Sequence, residues 1–426
     1  MAYQARSFTL EEDIFITHAG GEVNVTNAWA KITIEEDIYR HSMNCFLAVN
    51  DSTGLLDKID FDGTETFSLK IKSGKPKDPT LALRFRIYKQ DISMADDGSK
   101  QKTFMLYGVT PEHYTQAIMD INESFKTPIH EAAAKILSKV AKNTDRPKDR
   151  KINVHNTTGT YTYIVPGMTP YEAMDFLTKR SYSSTYTSSS YTFYENNKGF
   201  NFHNIERLIK EKRKDAIKYN YSASANLSEQ LPDNDTQFNI EAIGFAPTKR
   251  VMDRIKSGSY ANQVVEIDLI NQKTTSNIVF VKENFKDFYH LDETAMSLDS
   301  KAIIDDSLNV INSTRWKNKT LIGSDNIASA IPRRRFYEDS LSTVEAEVLV
   351  PGNTNLAAGE VIEISMPNQS AKQEGGQEPK VTGKYLITRL IHSLTPTGGY
   401  SCSIMCNKES FRPNVEDRSK NLVAKK

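Results

Sequence analysis

From residue 8 to about 109 the chain alternates apolar with polar positions, the period of a half-buried strand. Val23, Val25, Trp29, Ile32 and Ile34 sit among polar residues, and Cys45 to Val49 form a short, largely apolar run. Phe67, Leu69 and Ile71 then alternate with Ser68 and Lys70. Leu81, Leu83, Phe85 and Ile87 do the same with Ala82, Arg84 and Arg86, and Phe104 to Tyr107 ends the series. Turn-forming clusters at Asp51–Gly54, Ser73–Pro76 and Asp96–Gly98 separate the runs. Roughly five or six strands with polar turns predict a small barrel or sandwich.

At Thr110 the period changes. Thr110-Pro111 and Thr127-Pro128 each set a capping hydroxyl before a proline at the first helical position. Beyond the second, Ile129, Ala132, Ala133, Ile136, Leu137 and Val140 make one apolar stripe on a helix of about three turns. Thr169-Pro170-Tyr171-Glu172 supplies a capping box for a helix through Ala173, Phe176 and Leu177, ending near Arg180. Residues 181–191 are rich in Ser, Thr and Tyr and are expected to be a loop too polar for a core. Tyr191 to Phe202 reads as an aromatic hairpin turning at Asn196-Asn197-Lys198-Gly199, followed by Ile205, Leu208 and Ile209.

The β pattern returns from about 230, with strands expected at Val264–Ile270 and Ile278–Val281. Residues 282–340 resist placement: Ala302, Ile303 and Leu308–Ile311 suggest a helix, and Arg333-Arg334-Arg335 a basic loop. Between 341 and 409 the runs Val344–Val350, Val361–Ile364, Lys384–Ile387 and Tyr400–Met405 predict a second small barrel. The expected class is therefore α+β, mostly β. Residues 1–109 form a first β domain and 110–229 an α+β insertion. Residues 230–410 form a second β domain containing the unplaced 282–340, and 411–426 a polar tail.

Length agrees with several domains, since 426 residues exceed what one core comfortably holds. Hydrophobic residues make up 38% and charged residues 25%, ordinary for a globular chain. Lys+Arg and Asp+Glu number 54 each, so no global field draws in nucleic acid or an anionic membrane. No run approaches the ~20 apolar residues that span a bilayer. Met1 to Asp13 has neither a basic nor an apolar leader segment, so no signal peptide is expected. Three cysteines, Cys45, Cys402 and Cys406, do not make a disulfide framework, and folding in a reducing cytoplasm is expected.

Chemistry is sparse. The chain lacks a phosphate-cradling glycine loop, a Gly-x-Ser-x-Gly elbow and a His-Glu-x-x-His helix. Its eight histidines are scattered, and Cys402 and Cys406 share a strand face as packing residues. Acid pairs such as Glu35-Glu36 and Asp305-Asp306 have nothing to single them out for glycoside hydrolysis. The hairpin 191–202 could stack sugars or bases, but fits better as domain packing. No catalytic, cofactor-binding or metal-binding residue is assigned. Arg333, Arg334 and Arg335 are the one candidate contact, for phosphate or an acidic partner.

Three segments together resemble the baseplate hubs of contractile phage tails, a family shared with the spike-bearing hubs of type VI secretion. The first is Ile32 to Tyr39 leading to Leu47–Ser52 and Leu55-Leu56. The second is Met168 to Leu177 followed by Tyr191–Glu195 and Gly199–Phe202. The third is Val350-Pro351-Gly352, Ala358–Ile362, Gly383–Thr388 and His392. The resemblance implies two tube-type barrels per chain and a homotrimer forming a pseudo-six-fold ring. It further implies a channel for DNA, contacts with a central spike on one face and with tail tube and baseplate proteins on the other, no cofactor, and a place in the virion. A tail tube or adaptor subunit, a tail-associated peptidoglycan hydrolase and a carbohydrate-binding module using 182–202 are the alternatives.

Overall fold

Side chains that alternate along the first hundred residues alternate in space as well. The structure is a computed structural model that describes residues 6–75, 77–94, 102–142, 150–221, 236–246, 252–254, 259, 261–268, 272–280, 285–292, 312–317, 324–367, 378 and 381–410. The first region holds β1 (Phe8–Leu10), β2 (Phe15–His18), β3 (Gly21–Asn24), β4 (Trp29–Asp37), β5 (Asn44–Asp51), β6 (Thr66–Ser73), β7 (Leu81–Met94) and β8 (Lys102–Val109). Strands β1 to β3 are too short to show a period in sequence, which is why more strands form than the pattern predicts. In β4 and β5, Ile32, Ile34, Cys45, Leu47 and Val49 are buried while Thr33, Asn44 and Asn50 face the other side.

The middle of the chain contains α1 (Pro111–Ala117), β9 (Ile121–Thr127), α2 (Ile129–Lys142), β10 (Lys151–Val154), β11 (Tyr161–Met168), α3 (Pro170–Thr178), β12 (Tyr191–Asn196), β13 (Gly199–Asn204) and α4 (Ile205–Lys212). All six residues of the α2 stripe are buried. The α3 capping box forms, Thr169 accepting from Glu172 N while the Glu172 carboxylate accepts from Thr169 N. β12 and β13 pair as the expected hairpin, with β10 added parallel to β13. Phe125, Tyr163, Tyr191, Phe193, Phe200 and Phe202 join the α2 stripe in one core, so the aromatic hairpin is packing. Each such side chain contributes about 1.5–3 kcal/mol on burial.

The rest comprises β14 (Ile217–Tyr221), β15 (Asn239–Ile240), β16 (Ala242–Phe245), β17 (Ala261–Asp268), β18 (Lys273–Phe280), β19 (Asn312–Lys317), α5 (Ser324–Leu341), β20 (Val344–Pro351), β21 (Val361–Ser365), β22 (Gly383–Thr395) and β23 (Gly399–Lys408). β14, within the stretch read as insertion, pairs parallel with β21. Strands β17, β18 and β19 form a separate small sheet. Residues 302–311, expected to carry a helix, and the polar tail 411–426 lie outside the described residues.

Both β regions belong to one 15-stranded sheet, joined where β22 pairs antiparallel with β4 from Arg389↔Asp37 to Leu394↔Ile32. Their inward faces share a single hydrophobic core that runs from Ile14 to Cys406. The fold is α+β and mostly β; strand pairing among the described residues does not close a ring. Two expectations are corrected. Residues 181–190 are no solvent loop: Ser181, Ser183, Ser188, Ser189 and Ser190 are buried. Their polar groups are satisfied locally, Ser183 N donating to Ser189 Oγ at 3.0 Å and Ser188 N to Glu206 Oε2 at 2.7 Å. The basic triplet 333–335 lies within helix α5, not in a loop.

Candidate assembly interface

Charged residues gather where the insertion meets the seam between β regions. Glu36 continues the inward phase of Ile32 and Ile34 on β4 and is fully buried. Its carboxylate accepts from Asn197 N in the β12–β13 turn at 3.0 Å and from Ala358 N before β21 at 2.9 Å. One side chain thus ties together the first β region, the hairpin and the second β region. His392 on β22, two residues from Glu36's cross-strand partner Leu390, presents Nε2 at 3.9 Å from Glu36 Oε1. The hydroxyl of Tyr400, whose pKa burial raises far above its ordinary range, lies 2.7 Å from His392 Nδ1. Burial pushes Glu36 up to about 7, against the pull of the two backbone N–H groups, and pushes His392 down to about 4.

A second buried group lies beside it. Glu195 on β12 accepts from Thr110 Oγ1 at 2.6 Å and Met43 N at 3.3 Å, and pairs with Arg150 Nη2. Arg150 Nη2 also donates to Asn196 O at 3.2 Å, and its Nη1 lies 3.9 Å from Glu112. Burial alone would lower the Arg150 pKa, but Glu195 and Glu112 hold it above its ordinary value. Thr110 was expected to cap α1; its hydroxyl goes to Glu195 instead. Around this group the β4–β5 loop fastens the insertion: His41 Nε2 lies 2.9 Å from Asp175 on α3, Ser42 Oγ lies 3.0 Å from His113 on α1, and Thr192 Oγ1 donates to Ile38 O.

Arg334 donates to the carbonyls of Ser189, Ser181 and Lys179 at 2.9, 2.7 and 3.0 Å, pinning α5 to the serine segment. It is an internal strut, and the triplet does not meet the Glu36 or Glu195 groups. Cys402 and Cys406 are buried free thiols on β23, pushed up to about 12 for Cys402, so packing is their role. No three His, Cys, Asp or Glu side chains among the described residues are placed to hold a metal ion, and no helix among them is long and apolar enough to cross a membrane.

The outward-facing features are sheet edges. β16, β20, β23, β22, β4, β5, β8 and β7 follow one another in an unbroken antiparallel run. β6 pairs with β7 only as far as Arg86, so the following residues to Met94 have β8 on one side and no strand on the other among the described residues. That edge exposes Tyr88 (52%), Ile92 (51%) and Met94 (70%). At the opposite end, β16 pairs with β20 alone among the described residues and exposes Phe245. Across the run, the face away from the core carries Thr33, Asn44, Asn50, Ser393, Ser403 and Asn407 and charges of both signs such as Lys31, Glu35 and Arg389, together with Phe46, Tyr107, Ile391 and Met405.

No family model and no curated protein matches this chain. Solved structures do. The 43 kDa tail protein of prophage MuSo2 from Shewanella oneidensis aligns over 93% of this chain and 98% of its own, with 11% identity and a TM-score of 0.54. The chain shares its fold with this prophage tail protein. The tail protein from Neisseria meningitidis MC58 aligns over 95% of this chain and 97% of its own, with 9% identity and a TM-score of 0.52. At such identities the tail-protein fold is what is shared, and it extends across nearly the whole chain.

Glu36, Glu195, Arg150 and His392 were not singled out from the sequence. For two of them a signal was present: Glu36 and His392 each occupy the inward phase of an otherwise apolar strand, Ile32-x-Ile34-x-Glu36 and Leu390-x-His392-x-Leu394. Arg150 and Glu195 lie 45 residues apart and nothing local pairs them.

Proposed function

We propose that the chain is the central hub subunit of a contractile phage tail baseplate, a structural part without a reaction of its own. Three copies form a pseudo-six-fold ring around a channel that joins the tail tube to the central spike and lets DNA pass. Residues 1–109 and 230–410 are the two tube-type barrel modules, with β14 lending a strand to the second. Residues 110–229 form the outer insertion and 411–426 a polar tail. The chain is assembled in the host cytoplasm into the virion. The basic triplet on α5 faces an acidic neighbour in the tail, with Arg333 as the contact.

The observation that carries this reading is the eight-strand antiparallel run with an open edge at each end. Pairing the Tyr88–Met94 edge of one copy with β16 of the next is a head-to-tail contact, and head-to-tail contacts close into rings when the rotation permits. Closure also removes edges that would otherwise template aggregation. The mixed charges on the free face, Lys31 and Arg389 set off by Glu35, suit a channel through which a polyanion must slide, because dense Lys/Arg contacts would hold phosphate. The likeness of fold to two tail proteins, one of them from a prophage, supports the same conclusion.

Cysteines placed at Ile92 and Gly244 test it; Gly244 has open space where a side chain would go. In assembled tails a short bis-maleimide should link the double variant into species of up to three chains and no more. Bands of a single chain only, or a ladder beyond three, would sink the ring. Clearing of a bacterial cell-wall suspension by the purified chain would instead favour a peptidoglycan hydrolase.

A further inference from the structure

A pocket of about 420 Å³ opens between β10, β13, α4 and the loop before β21, and neither the ring nor the buried junction uses it. His155 and His203 stack in it with ring centres 3.9 Å apart and planes 7° from parallel, and Tyr194 meets His203 edge-on. Lys198 and Lys212 converge on one oxygen of Glu360, at 2.6 and 2.9 Å. Two ammonium groups on one carboxylate leave a formal excess of one positive charge.

The lining has donors to spare. The side-chain N–H groups of Asn153, Asn196 and Asn201 are committed to Asn201 Oδ1, Ala358 O and Gly199 O. Each ammonium carries three N–H bonds and spends one on Glu360. His155 Nδ1 accepts from Asn204 N at 3.2 Å, so its proton sits on Nε2, with Glu211 Oε2 at 3.7 Å. His203 is only 8% exposed and its Nδ1 has no hydrogen-bond partner among the described residues. An unpaired buried polar atom is costly unless something occupies the space beside it. Burial first, and then the neighbouring Arg207 guanidinium, pushes His155 down to about 4, so its imidazole is neutral and offers Nε2–H as a donor. A metal ion fits poorly, because parallel imidazoles aim their lone pairs side by side rather than at one point.

We propose that this pocket binds a small oxyanion of the phosphate type, held by Lys198, Lys212 and the His155 Nε2–H with His203 stacked behind that ring, clamping residues 151–212 to the segment before β21. An acceptor-only ligand matches the ammonium N–H bonds that Lys198 and Lys212 do not spend on Glu360. Glu360 is the competitor: burial alone would raise its pKa, but the two lysines hold it low and charged.

Titration of the full chain with inorganic phosphate, against chloride at matched ionic strength, is the test. The wild-type chain should bind phosphate and melt at a higher temperature in it. Lys198→Met and His203→Phe should each weaken binding by about tenfold or more, and Glu360→Gln, which removes the competing carboxylate, should tighten it by a similar factor. Lys198 is half-exposed, so its variant is expected to fold even if the His203 variant does not. Absence of phosphate-specific binding by the wild-type chain, Lys198→Met binding unchanged, or Glu360→Gln binding more weakly would each overturn the proposal.

Discussion

Two buried polar groups, one around Arg150 and one around Glu36, set this chain's behaviour at the level of single residues. Arg150 sits between Glu195 and Glu112 with all three side chains nearly inaccessible. Replacing a buried ionic partner leaves the other charge without compensation, which typically costs about 3–5 kcal/mol. Arg150→Met should therefore lower stability by that order in denaturant titration; a loss below about 1 kcal/mol would show that water reaches the group. Glu36 gives a pH effect whose sign follows from its raised value. Folded Glu36 releases its proton near 7 and the unfolded residue near 4.5, so its contribution is full below 4.5 and lost as pH rises to about 7. His392 acts oppositely: depressed from 6.5 to about 4, it favours folding above 6.5 and that advantage is lost as pH falls through 4. Thermal melts of Glu36→Gln should lose the decline between 4.5 and 7 while keeping the loss in acid; an unchanged profile would mean Glu36 stays ionised throughout.

At the level of elements, the insertion is held by short, specific devices. The loop before β21 turns at Gly359, with φ near +88° and the Tyr194 hydroxyl where a Cβ would lie. Any other residue must both adopt a left-handed backbone and displace a buried ring. Gly359→Ala should destabilise by about 1–3 kcal/mol, and Tyr194→Phe in the same chain should recover part of that, because the hydroxyl causes the collision but not the φ strain. Failure of the second substitution to recover anything would mean that backbone conformation alone accounts for the loss. The α2 stripe and the α3 capping box were legible because each depends on residues three or four apart. The serine segment was not: its burial depends on Glu206 and Arg334, distant in sequence, supplying partners to its polar groups.

For the whole molecule, the determining feature is that β4 and β22, more than 340 residues apart, pair to make one sheet of two β regions. The run they complete ends in two apolar edges, and an edge of that kind is either covered or aggregation-prone. Ile92→Lys should leave the melting temperature nearly unchanged, since the side chain is half-exposed, and under the proposed hub function it should abolish incorporation into tails. Normal incorporation would remove this edge from the assembly surface.

The sequence by itself determined the strand-rich class, the stripe of α2, the α3 cap and the β12–β13 hairpin, because all of these rest on periodicity and capping within a few residues. Only the tertiary structure decided that the two β regions form one sheet and that Glu36, Asn197 and Ala358 meet. It also decided that the serine segment is inside and that Arg334 is a strut. The physical reason is the same in each case. Pairing of strand edges and satisfaction of buried polar groups are made by partners far away along the chain, and no local pattern specifies which partner arrives.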